Sequence, residues 1–305
     1  MQWESIGFRE NPFVTDPITS NTLDLYVGRD EKVSVCKRVL LSKNVNLVVD
    51  GARGVGTTSF ANYLRFNASK AKDYFTPSAE IRVQQDWTVE TLLASVVAHI
   101  VREIEIQGLE HLMKDKRYIE AKRLSSTIAE TYQNFGVGAA GFSGSYGKSA
   151  GVVTQPTIVP SPVIGNHLED LASLIMENDY KYGILLQLNN LDIGAVHDEQ
   201  HLKALLNALR DYVQTNGVSW VFVGDVGLRR FIAQKVDRLD DIISFEVTID
   251  PISIDDYKRL IDKRVDLYKK SEKISLPIDW DVFEYLYKVT DGRLRYVFRL
   301  LERLT

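Results

Sequence analysis

The sequence predicts an α/β fold in which a three-layer core built on a parallel sheet is followed by a small all-helical unit. Three observations carry this. Short, predominantly apolar runs such as "VNLVV", "GILLQL" and "SWVFVG" have the character of strands covered on both faces, as parallel strands are. Between them lie longer stretches with apolar residues every three to four positions, the spacing of helices that pack on a sheet. Past Pro251 the strand character stops and only helical spacing continues.

Taken in order, residues 1 to about 30 are rich in Pro, Asn and Thr and read as irregular. "RDEKVSVCKRVLLS" has helical spacing through Val33, Cys36, Val39 and Leu40. The strand "VNLVVD" comes next, then the helix opened by "TTSFANYLRFNAS", a strand around "AEIRVQ", and a helix from Thr88 to about Ile106. A second long helical stretch runs from about Leu109 to Gln133 and ends in "FGVGAAGFSGSYGKSAGVV". Six glycines between Gly136 and Gly151 make that segment a loop or flexible hairpin inserted in the core. A further helix leads into "YGILLQLNNLD", and the helix "HLKALLNALRDYV" leads into the strand "SWVFVGD". "SIDDYKRLIDKRVDLYKK", "DWDVFEYLYKV" and "RLRYVFRLLERL" then read as three helices. The expected division is a core over 1–249 and a helical unit over 250–305.

With 305 residues, 45% of them apolar, the chain can bury one large core or a core with a satellite. A net charge of −4 argues against bulk electrostatic attachment to DNA and leaves room only for local basic patches. Cys36 is the single cysteine, so neither an intrachain disulfide nor a zinc cluster is expected; its apolar-patterned setting marks it as a buried helix residue. The five histidines show no metal-ligand spacing, and no Ser-His-Asp or Cys-His order stands out. The N-terminus lacks a basic region followed by an apolar run, and no apolar run approaches ~18 residues. The expectation is a cytoplasmic protein with no membrane partner.

The chemistry gathers at "NLVVDGARGVGTTSFANYL", a strand, a glycine-rich turn and a helix start. A phosphate-binding loop has this build, because glycines let consecutive amides turn inward around an anion at a helix N-terminus. Gly51 and Gly56 fit the spacing G-x-x-x-x-G-K-[ST], and Gly54 adds freedom. The cradle would be the backbone of Gly51, Arg53, Gly54, Val55, Gly56 and Thr57, continuing into Thr58 and Ser59. Thr58 stands where a hydroxyl would hold Mg²⁺, while Thr57 replaces the lysine. The chain's one G-K-S, at Gly147–Ser149, is a decoy: Gly141 lies one residue too far upstream and no apolar strand precedes it. In "ILLQLNNLD", Asn189 and Asn190 occupy the places where such loops' partner strand carries acids, and Asp192 offers a displaced carboxylate. An amide cannot take a proton from water, so hydrolysis should suffer.

These motifs resemble the AAA+ class of P-loop ATPases, most closely the branch of origin-recognition initiators and the neighbouring STAND signalling ATPases. "NPFVTDPITSNTLDLYVGRDEKV" is similar to that branch's adenine-side segment, which implies Gly28 and Arg29 near the base. "SWVFVGDVGLRR" resembles the sensor-one strand, with Asp225 as the substitute polar residue. "KVDRLDDIISFEVTIDPIS" is similar to the segment that carries an arginine finger toward a neighbouring subunit, which points to Arg238. "TDGRLRYVFRLLERL" resembles the sensor-two helix of a lid and implies Arg295 over the terminal phosphate. The likeness covers roughly 9–72 and 180–305. Initiators of this branch often continue into a winged-helix DNA reader, and none is expected after Thr305.

The resemblance implies ATP or ADP as ligand, with Mg²⁺ as its companion ion. The lost lysine and acids turn the expectation toward a regulatory module that binds nucleotide and changes shape or assembles, with little or no hydrolysis. One alternative is a slow ATPase in which Arg53 and Asp192 act as substitutes. Another is a nucleotide-free scaffold that binds protein or DNA. The branch serves replication initiation, transposition and prokaryotic immunity; a protein partner or self-assembly is expected, whereas DNA contact is not signalled by the net charge.

Overall fold

The computed structural model describes residues 3–134, 159–178, 180–194, 198–271, 274, 276 and 278–304. The glycine-rich segment 136–151, with its decoy motif, lies outside the described residues. In chain order the elements are α1 (Asp30–Val39), β1 (Asn46–Gly51), α2 (Thr57–Lys70), β2 (Ile81–Arg82) and α3 (Val89–Ile106). They continue with α4 (Glu110–Met113), α5 (Lys116–Asn134), α6 (Ser161–Met176), β3 (Ile184–Asn189), α7 (Glu199–Val213) and β4 (Val218–Val223). The last are α8 (Leu228–Lys235), α9 (Asp237–Asp240), β5 (Phe245–Ile249), α10 (Ile254–Tyr268), α11 (Trp280–Val289) and α12 (Leu294–Leu304).

Local chemistry sets several of these boundaries. Thr88 accepts a hydrogen bond from the Thr91 amide at the start of α3, Asp198 accepts from Gln200 and His201 ahead of α7, and Ser253 accepts from Asp256 ahead of α10. Each satisfies amides that a helix start leaves without intrahelical partners. The single helix expected over 109–133 is instead two, α4 and α5. The break falls at Asp115, whose carboxylate takes the Arg117 amide at 2.8 Å and restarts the helix.

All five strands are parallel, in the order β2-β3-β4-β1-β5. β1, β3 and β4 are buried along their whole length, as their mostly apolar runs lead one to expect. β5 alternates between buried and open positions because it is an edge strand, and that is why its sequence does not announce itself. One face of the sheet, with Val48, Leu186, Leu188 and Trp220, packs under α3 and α5–α9. The other, with Leu47, Val49, Val221 and Ile249, packs under α1 and α2, and Cys36 is buried there. This is a three-layer α/β architecture.

A third core joins the two ends of the chain. Trp3, Phe8 and Phe13 from the N-terminal segment pack with Tyr257, Leu260, Phe283, Val297 and Phe298 of α10–α12. Trp3 meets Phe8 and Phe13 edge-on at 5.5 and 5.6 Å between ring centroids. Backbone bonds from Arg9 to Tyr268 and from Lys270 to Gly7 fasten the same segment to the end of α10. Residues that composition marks as irregular are therefore held by aromatic packing against helices some 250 positions away in sequence.

Candidate functional site

The parallel sheet brings the C-terminal ends of β1, β3 and β4 to one edge, where α/β proteins bind ligands. A cleft opens there between the loop after β1, the ends of β3 and β4, the N-terminal segment and α10–α12. The loop is shaped as its glycines foretell. Gly54 and Gly56 sit at φ +93° and +102°, which side-chain-bearing residues rarely adopt. Gly51 has no room for a side chain, since a Cβ would lie 2.5 Å from the Ile249 carbonyl oxygen. The Val55 amide donates to the Ala52 carbonyl at 3.1 Å and closes the turn. Gly56 caps α2 without any side-chain hydrogen bond, so the first-turn amides of this 14-residue helix are left to the cleft.

Gly51, Arg53, Gly54, Val55, Gly56, Thr57, Thr58 and Ser59 all line the cleft. Arg53 is exposed, and Ser59 Oγ accepts from the Ile18 amide at 3.3 Å. Arg295, at the start of α12, donates its backbone amide to the Gly54 carbonyl at 3.1 Å and lines the cleft as well. Arg29, expected beside the base, reaches the loop: its Nη2 donates to the Val55 carbonyl at 2.7 Å and to the Asp250 carbonyl at 2.8 Å. Gly28 does not line the cleft; its backbone, at φ +77°, lies against Asp256 of α10.

At the end of β3 the two asparagines part. Asn190, in the left-handed region at φ +67°, lines the cleft together with Asp192. Asn189 does not, because it is buried in the sheet and accepts a hydrogen bond from Gln187 at 3.0 Å. Asp225 after β4 joins Asp192 on the cleft wall and accepts from the Ile193 amide at 3.4 Å. Burial, then the negative charge of Asp192, raises the Asp225 pKa above the ordinary carboxylate value. No group of three or more His, Cys, Asp or Glu poised to hold a metal occurs among the described residues. Arg238 stands apart from the cleft, exposed on α9 and 3.8 Å from Asp211.

Two parts of the cleft were absent from the sequence reading. Tyr26 lies on the wall, stacked on Tyr63 at 4.1 Å between centroids, and burial pushes its pKa up to about 12. Arg264 of α10, from a mixed-charge stretch that reads as surface, is instead buried on the cleft wall. The signal was there: Tyr257, Leu260, Ile261 and Arg264 share helical spacing, so the arginine falls on the apolar stripe.

No family model and no curated protein sequence matches the chain. Solved structures do. The ORC2 protein of Aeropyrum pernix, in ADPNP-ADP complexes, is similar over 97% of this chain and 66% of its own, at 14% identity and a TM-score of 0.56. Its ADP form gives 0.52 at the same identity and coverage. A Walker-type ATPase of Pyrococcus abyssi is similar over 94% of this chain and 69% of its own, at 14% identity and a TM-score of 0.52. The chain thus spans about two thirds of the length of these neighbours. The likeness shows the fold: this chain shares the three-layer α/β architecture of these neighbours. Among the described residues no helix is long and apolar enough to cross a membrane.

Proposed function

We propose that the chain is an AAA+-like module that binds ATP or ADP in this cleft and uses it to change conformation or assemble, with little or no turnover. One observation carries the reading: a glycine-shaped loop with two positive-φ glycines opens onto the N-terminus of α2, which no side chain caps, and both line one cleft. Such a cradle fits a chain of phosphates through backbone amides, and the helix adds partial positive charge. The neighbours solved with ADP and ADPNP support the choice of ligand. Thr58 is the residue that would hold Mg²⁺, and Arg295 would approach the terminal phosphate. The core over 1–249 and the lid over 250–305 would close on one another around the ligand.

The arrest of turnover follows from side chains. Thr57 supplies no ammonium, and Asn190, on the cleft wall at the acid position, cannot accept a proton. Arg238, exposed on α9, would reach only a neighbouring copy or a partner protein. A setting in replication, transposition or prokaryotic defence accords with the fold, and DNA contact would need a patch that the net charge of −4 does not advertise. Equilibrium titration with a fluorescent ATP analogue tests the core of this reading. Saturable binding is expected, and its absence up to millimolar ligand would reject it.

One observation favours a second reading, slow hydrolysis: Asp192 lines the cleft beside Asp225, close to the displaced position expected of a substitute carboxylate, and Arg53 is free to swing in. In that case phosphate release by the wild type would be measurable and would fall in Asp192→Ala and Arg53→Ala. Unchanged release in both eliminates the route.

A further inference from the structure

Arg264 is 6% exposed, and its charge is not matched by any ion pair among the described residues. One nitrogen, Nη1, donates to the Pro12 and Val14 carbonyls at 2.9 and 3.0 Å. Its Nε is buried with no acceptor, and the Phe298 ring covers one face of the guanidinium at 4.3 Å. Tyr268 and Asp16 act on it only through space, and burial pulls its pKa down to about 10. A cation held this way lacks the acceptors that normally offset its desolvation. The side it turns to open space is the cleft.

Its position along the cleft is also fixed. The carbonyls it grips, Pro12 and Val14, lead into Thr15–Ile18, which line the cleft. At the far end of that strap, Asn62 Nδ2 donates to the Ile18 carbonyl at 2.8 Å and Ser59 Oγ accepts from the Ile18 amide, both residues belonging to α2. The strap is therefore slung between α10 and the helix that carries the phosphate loop. Leu25, Tyr26 and Phe298 line the same cleft as the strap and Arg264.

We infer that Arg264 is a base-recognition residue, donating to a ring nitrogen or carbonyl oxygen of a purine nucleotide whose phosphates lie on the Gly51–Gly56 loop. This rests on the nucleotide-binding reading above. A donor spent on the base would give the missing lysine's affinity a second source and would draw α10 and the strap together when ligand is bound.

The test compares ATP with inorganic tripolyphosphate, each titrated against wild type and Arg264→Met, with a thermal melt confirming that the variant is folded. The wild type should prefer ATP over tripolyphosphate by at least ~10-fold, the worth of one charge-assisted hydrogen bond. Arg264→Met should lose most of that preference while binding tripolyphosphate within about twofold of wild type. Equal loss of both ligands would mean that Arg264 only holds the structure, and an unchanged preference would mean that it does not touch the base; either overturns the inference. Should the variant not fold, equal affinity of the wild type for the two ligands overturns it alone. Failure of the wild type to bind either ligand would instead sink the nucleotide reading itself.

Discussion

At the scale of single residues, the proposed phosphate loop is a backbone device with Thr57 where the G-x-x-x-x-G-K-[ST] spacing has lysine. Position 57 opens α2 beside Gly56 and lines the cleft, so a longer basic side chain there would point at the phosphates. Thr57→Lys is therefore expected to tighten ATP binding by ~10-fold or more, the scale of a charge-assisted hydrogen bond; isothermal titration of the two proteins would show it, and no gain would mean that the loop does not face the ligand as argued. Asp225 offers a prediction in pH. Burial and then Asp192 raise its pKa above the ordinary 3.8, so its ionised form works against the fold. The stability tied to it is full below 3.8 and declines as the pH rises through the raised value. Asp225→Asn keeps an oxygen for the Ile193 amide and removes the charge. Its melting temperature should exceed the wild type's at neutral pH and the gain should shrink as the pH falls toward 3.8. The glycine frame was legible because φ above zero selects for glycine. Arg264 was not, because a charged residue on an apolar stripe looks like surface until its neighbours are placed.

At the scale of elements, what matters is how α12 is set against the loop. Gly292 turns the chain from α11 into α12 at φ +67°, and a Cβ there would lie 2.8 Å from Pro251 and 2.9 Å from the Tyr287 ring and hydroxyl oxygen. The Tyr287 hydroxyl in turn donates to the Ile252 carbonyl. Gly292→Ala should cost about 1–3 kcal/mol in strain and displaced packing, read by urea unfolding, and should weaken the Arg295–Gly54 contact. A cost near zero would mean that this corner is loose and that α12 is not held on the loop. Strands β1, β3 and β4 were readable because central parallel strands, covered on both faces, are mostly apolar. β5 was not, its Phe245–Ile249 run alternating as an edge strand does. β2 is two residues long and borrows its place from β3. The break between α4 and α5 turns on one side chain, Asp115, and periodicity runs straight through it.

At the scale of the whole molecule, the N-terminal segment links α2 with α10–α12. Its aromatic residues pack into the core of α10–α12, Ile18 is bonded to α2, and Arg29 ties the loop to the end of β5. A ligand seated on the loop therefore touches, through one strap, both the sheet and the C-terminal helices, which gives a nucleotide a physical route to change their relative position. The sequence order of the motifs carried the fold; it could not show that Asn189 is buried in the sheet while Asn190 lines the cleft, since that depends on where β3 ends and on the left-handed backbone of Asn190. The central claim is that amides at Gly54 and Gly56 hold phosphates without a lysine. Labelling only the glycines with ¹⁵N and following their amide resonances through an ADP titration tests it directly. Of the chain's 19 glycines, Gly54 and Gly56 should show the largest, saturable shifts. If no glycine amide moves up to millimolar ADP, or if those that move lie elsewhere, the claim is wrong.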